Sequence, residues 1–235
     1  MDRVPTSPDP VVCALVASVP KVIDRDRPTQ SDDVPIGHKG QSARDDCPKT
    51  RRVVTGHTPG HKSVVVHDDG APRVVTIAGM KDFSITAVWA TDAGMTALPG
   101  STDPTPAMTT FVPGWNGTRF LITVLPPDAQ GLEPGADPAA IAEEMRAKLP
   151  GLAQAMEPDH PGMHTTDTVD YDIIMAGELW LELDDGTEVH LQPGDIVIQN
   201  GTRHAWRNKG TQPCVMYSVL VGVPRSAPAS EEYFP

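Results

Sequence analysis

From residue 51 onward the apolar positions fall in short, β-branched runs closed by Gly, Pro, Asn and Asp. "FSITAVWATD" and "TRFLITVLPPD" read as two strands on that pattern. "SVVVHDDGAPRVVTI" reads as two more, and its Asp-Asp-Gly-Ala-Pro turn signal predicts a hairpin between them. From Tyr171 the runs resume as "YDIIMAGELWLELDDG", "TEVHLQPGDIVIQNG", "HAWRN" and "CVMYSVLVGV". Within "LWLELDDG", alternation sets Leu179, Leu181 and Leu183 on one face and Trp180 and Glu182 on the other. Strands repeating at this spacing, with turns between them, predict an all-β antiparallel sandwich or barrel.

The period changes once. In "DPAAIAEEMRAKLPGL", Ile141, Met145, Leu149 and Leu152 recur at helical spacing. Asp137 is placed to cap the helix, Pro138 fits its first position, and Pro150-Gly151 ends it. One short helix is expected, laid on the sheet or beside the mouth of a pocket. The first fifty residues carry neither period. They hold seven prolines among charged and small polar residues, too little apolar surface to offset ordering entropy. The organisation expected is a disordered arm over 1–50, a β extension over 51–136 and a helical connection over 137–157. Strands holding the chemistry follow over 158–223, with a tail over 224–235.

Composition narrows the partners. The net charge of −12 argues against a nucleic-acid ligand, which needs clustered Lys and Arg. No apolar run approaches a membrane span, and "VVCALVASV" follows a proline-rich flank that lacks the basic character of a secretion signal. Cys13, Cys47 and Cys214 are odd in number and far apart, which suggests neither a disulfide framework nor a zinc motif. A cytoplasmic protein without nucleic-acid or membrane partners is the expectation.

Candidate chemistry concentrates in "HPGMHTTDTVDYDIIMAGELWLELDDG", where His160, His164, Asp167, Asp170 and Asp172 precede or enter a strand. Such residues are either solvated turn positions or ligands. His38, His67 and His190 read as solvated, and Pro59-Gly60 interrupts any helix that would join His57 to His61. His164 and His204 each stand at the start of a strand-like run. His164 and Asp170 would lie about 20 Å apart in a fully extended chain, so they meet only if "TTDTV" turns or bulges.

These residues resemble the two motifs of the cupin superfamily. The first family motif is His-x-His, three or four residues, Glu, six residues, Gly. Here His164-Thr165-Thr166 is followed by three residues, Asp170, six residues and Gly177. The second motif is matched by Gly194, Gly201, His204 and Asn208, with Gln199 at the position of its proline after a gap one residue shorter. Three departures stand out: Thr166 replaces a histidine, Asp170 a glutamate and Gln199 a proline. The resemblance implies a cupin-type double-stranded β-helix, a jelly-roll barrel over roughly 105–223, with additional N-terminal strands. It also implies one divalent metal ion (Fe, Zn, Mn or Ni) on His164, Asp170 and His204, a two-His, one-carboxylate set that leaves coordination positions open.

The function so implied is a metal-dependent enzyme acting on a small oxygenated substrate whose carboxylate or enol chelates the metal. Dioxygenase, decarboxylase, isomerase and lyase chemistries all fall within the family. His160 and Asp167 are the nearby acid–base candidates, and Thr166 and Trp206 the candidate substrate-binding residues. A homodimer is the family expectation. The alternative is a barrel that binds a small molecule without catalysis.

Overall fold

A computed structural model describes residues 50–95 and 102–225. The expected arm and C-terminal tail therefore fall almost wholly outside the described residues. Within them, strands β1 (Arg51–His57) and β2 (Ser63–Gly70) form a hairpin. Strands β3 (Arg73–Val75), β4 (Ser84–Thr91) and β5 (Thr118–Leu125) precede helices α1 (Pro138–Lys148) and α2 (Leu152–Ala155). Then come β6 (Thr168–Ala176), β7 (Leu179–Glu182), β8 (Glu188–Leu191), β9 (Ile196–Asn200), β10 (Ala205–Arg207) and β11 (Cys214–Gly222). One antiparallel sheet runs β3-β4-β5-β11-β6-β9 and a smaller one β10-β7-β8. The architecture is the all-β barrel type that the period-two pattern predicts.

The expected hairpin at Asp68-Asp69-Gly70 is not formed. β2 runs through that stretch and pairs back with β1, while β3 pairs with β4. Side-chain charge explains the difference. Arg51 binds Asp68 at 2.7 Å and Arg52 binds Asp69 at 3.1 Å, so the acids sit in a ladder instead of a turn. The reversal falls at Thr58–Lys62, where His61 takes a left-handed φ of 60°. His67, expected in solvent, is half-buried in β2, and its Nε2 has no partner.

The helix forms as its capping residues dictate. Asp137 accepts a hydrogen bond from the Ala139 amide at 2.9 Å, and Pro138 opens the first turn. Leu149 is fully buried, and Ile141, Met145 and Leu152 pack with it on a cluster that includes Val75, Phe83, Phe111 and Leu121. Burial of a leucine of this kind contributes about 1.5–3 kcal/mol. A second apolar cluster joins Ile174, Leu179, Leu181, Leu191, Cys214 and Met216.

Strand β11 spans both clusters. Its buried side chains run Cys214, Met216, Ser218, Leu220: the first two belong to the second cluster and the last to the first. Ser218 lies between them. Opposite it, β6 buries Thr168, Asp170 and Asp172 before Ile174. The barrel interior is therefore apolar in two places and polar in the band between them.

Candidate functional site

Two motif residues shape the backbone around this band. Gly177 takes φ 75°, and a Cβ there would lie 2.5 Å from the Pro213 carbonyl oxygen, so no other residue fits the β6–β7 turn. Asn208 is buried and ties its loop together. Its side-chain amide donates to the Leu125 carbonyl at 2.8 Å and the Gln212 carbonyl at 2.9 Å, and its oxygen accepts from the Gly210 amide at 3.0 Å. Its role is structural.

His164 and His204 are brought together by the chain itself. They exchange backbone hydrogen bonds of 2.9 and 3.0 Å, and their ring centroids lie 4.2 Å apart. Both are buried. Each Nδ1 donates to a carbonyl two residues back, His164 to Gly162 at 3.0 Å and His204 to Thr202 at 2.9 Å. A neutral ring bonded in that way carries its lone pair on Nε2, the tautomer a metal ligand needs. Burial keeps both rings neutral: His164 is shifted down, and His204 is pushed down to about 4 by desolvation and by its neighbour. Trp206 meets the His204 ring edge-on at 5.4 Å and packs against the second apolar cluster.

Asp170 is also buried, on the inward face of β6 between Gln199 of β9 and Leu220 of β11. Its Oδ1 has no hydrogen-bond partner, and burial raises the carboxyl to about 6. Asp172, one step along the same face, accepts a 2.6 Å hydrogen bond from Ser218 and is raised to about 7, chiefly by burial. Gln199 is 3% exposed, with an unpartnered Nε2. Thr166 and Thr168 share a 2.7 Å hydroxyl contact, both buried.

The remaining sequence candidates lie elsewhere. His160 is exposed and 3.2 Å from Glu157, which is itself held by Arg203. Asp167 is exposed and paired with Arg225, which also donates to the Thr166 carbonyl. Asp167 and Thr166 line a surface cavity of about 490 Å³ together with Trp115, Gln154 and Val223. His164, His204 and Asp170 do not line it. His190 is exposed as expected, and there it stacks on Trp180 at 4.2 Å and bonds Glu178 at 2.9 Å.

The donor types suit a divalent ion: two neutral imidazoles and a carboxylate oxygen that no protein donor satisfies. Their gathering is less complete. Among the described residues no three His, Cys, Asp or Glu side chains are grouped as a metal site. The histidines form a pair, and Asp170 has the Thr168 hydroxyl bonded to its carboxylate, with Gln199 and Asp172 as further polar neighbours. Sequence reasoning had no role for Ser218 or Gln199. The signal for Ser218 was parity, a polar residue on the buried face between Met216 and Leu220.

Comparison with known proteins agrees with this architecture. Residues 154–220 match the family model described as Cupin domain, so that stretch of the chain carries a cupin domain. Oryzines biosynthesis cluster protein J of Aspergillus oryzae is 42% identical over 65 residues, which is 26% of this chain and 36% of the relative. The cupin-domain-containing oxidoreductase fogC of Aspergillus ruber is 32% identical over 96 residues, 40% of this chain and 44% of the relative. The chain thus spans less than half the length of these relatives. A Cupin 2 conserved barrel domain protein from Salinispora arenicola aligns over 62% of this chain and 81% of its own, at 15% identity. Its TM-score of 0.31 is too low to bear on the site.

Proposed function

We propose that this chain is a metal-dependent cupin enzyme that binds a small oxygenated organic molecule in the polar band of the barrel. The observation that carries the reading is the histidine pair: His164 and His204 are buried, neutral, and fixed by their Nδ1 bonds in the tautomer that offers Nε2. Asp170 supplies the third donor through its unpartnered Oδ1, and its charge offsets part of the cation's. A divalent ion held there supplies Lewis-acid polarisation of a coordinated substrate oxygen. The protein's own part is to orient and to exclude water. Trp206 walls the His204 side, and Leu179, Leu181 and Met216 close the interior beyond Asp172. A carboxylate or enol is the substrate group proposed, and the name of the Aspergillus ruber relative favours an oxidative reaction within the family's range.

The acid–base roles considered for His160 and Asp167 gain no support from their exposed, ion-paired positions. A homodimer is supported by the outward face of β6 and β9, where Tyr171 stands beside Ile198 and Ile173 beside Ile196, with Tyr171, Ile196 and Ile198 exposed. The second reading, a ligand-binding barrel without metal, is favoured by the absence of a three-donor cluster among the described residues.

Elemental analysis of untagged protein purified in metal-replete, reducing buffer decides between the two. Stoichiometric metal is expected, lost in His164→Ala and His204→Ala and reduced in Asp170→Asn, with circular dichroism unchanged in all three. Metal-free wild type would hand the function to the binding reading.

A further inference from the structure

Inside the barrel two buried polar atoms lack partners, Asp170 Oδ1 and Gln199 Nε2. Their residues are 6% and 3% exposed, and strand register sets them directly opposite each other on β6 and β9. Side chains so paired have Cβ atoms about 5 Å apart, within reach of a direct hydrogen bond. None is made. An acceptor and a donor therefore stand side by side, both unsatisfied, in a region where an unmet hydrogen bond is destabilising.

A bound ion meets only half of this. It satisfies the carboxylate oxygen, but a cation accepts no hydrogen bond, so the amide N–H stays as it was. Gln199 sits where the two-motif pattern carries proline, which has no side-chain donor at all. The β9 ladder does not require the amide, because its backbone pairs with β6 from Val169↔Asn200 to Ile173↔Ile196 whatever side chain position 199 bears.

We infer that Gln199 orients the substrate, donating from Nε2 to a carbonyl or carboxylate oxygen of the molecule bound beside Asp170. The inference rests on the small-molecule site proposed above and names the atom it recognises. Gln199 touches ligand; it holds neither the ion nor any neighbouring side chain.

The test compares wild type with Gln199→Met, which keeps volume and removes the donor. Hydroxyacetone and glycolate serve as probes of the neutral carbonyl and the carboxylate, titrated by ligand-observed NMR, with melting temperature and metal content measured alongside. At least one probe is expected to bind wild type, and Gln199→Met to weaken it about tenfold or more. Metal content is expected to stay constant. The ligand-free variant is expected to melt a few degrees higher than wild type, because an unsatisfied buried amide has been replaced by an apolar group. Wild-type binding in Gln199→Met, or failure of wild type to bind either probe, overturns the inference. So does a lower melting temperature with binding intact, which marks a packing residue. If wild type proves metal-free but binds a probe through Gln199, the metal reading falls and this inference stands.

Discussion

Two buried polar regions of this barrel are treated in opposite ways. At the β4–β5 end, Arg119 is 1% exposed, yet each nitrogen of its guanidinium is bonded. It donates to the Thr110 carbonyl at 2.9 Å, to those of Thr91 and Thr118 at 2.9 and 2.8 Å, and to Asp92 at 2.8 Å. At the β6–β9 end, Asp170 and Gln199 are nearly as buried and leave one atom each unmet. A buried charge with every nitrogen bonded belongs to the fold. Unused donors and acceptors facing each other cost stability, and natural chains keep them where a ligand or ion completes the set.

The largest expected effect breaks the first region. Arg119→Met removes every one of those bonds and leaves the partly buried Thr91, Thr110 and Thr118 carbonyls without that donor, so a loss of about 3 kcal/mol is expected. Urea denaturation measures it. The opposite sign expected for Gln199→Met makes the contrast sharp: the same kind of change, polar to apolar at a buried strand position, destabilises one region and stabilises the other. Equal losses at both positions would erase the distinction.

A smaller effect comes from pH, in protein stripped of metal by a chelator. Asp170 at about 6 and Asp172 at about 7 lie above the ordinary carboxylate range, so the folded state binds their protons more tightly than the unfolded state does. Stability from these groups is full below about pH 4 and is lost as pH rises through 6 and 7. His204, at about 4, acts in reverse: its contribution is present above about 6.5 and lost as pH falls through 4. Between pH 4 and 6.5 the two therefore oppose each other. Asp172→Asn keeps an acceptor for Ser218 and removes one carboxyl, and it is expected to gain on the order of 2 kcal/mol at pH 8. Below pH 6.5 its stability is expected to fall more steeply than wild type on acidification, the histidine contribution being less opposed. A variant that tracks wild type across that window would show Asp172 solvated.

How much of this was legible in the sequence follows the same division. Strands β4 to β11 could be read because their period-two apolar pattern is interrupted only by strong turn residues. The helix could be read from Asp137, Pro138 and the four apolar positions behind them. The β1–β2 hairpin could not, since Asp68-Asp69-Gly70 has turn composition and only the facing Arg51 and Arg52 make it a strand. The two histidines were legible from motif spacing. Gln199 was visible only as a departure from a pattern, because the fact that matters about it, an N–H with nothing to bind, is a property of three-dimensional neighbours. Parity along β6 does put Thr168, Asp170 and Asp172 on one face with Ile174, so a polar interior was within reach of pattern reading.

The smallest effects are expected at the surface candidates, and they bound the site from outside. His160 is exposed and bonded to Glu157, whose carboxylate is already held by Nε and Nη2 of the Arg203 guanidinium at 2.6 and 2.7 Å. Losing the imidazole leaves that stronger pair in place, so His160→Ala is expected to change stability by less than about 0.5 kcal/mol. Asp167→Ala removes one partner of Arg225, but the Thr166 and Gly201 carbonyls still hold that side chain, at 3.0 and 3.3 Å. Its stability change is expected to be equally small. Metal content and probe binding are the sharper readouts, because they separate a rim residue from an interior one. Both variants are expected to match wild type in each. A loss of probe binding in Asp167→Ala with metal retained would instead place the ligand in the 490 Å³ cavity that Asp167 shares with Trp115 and Thr166, outside the band between β6 and β9.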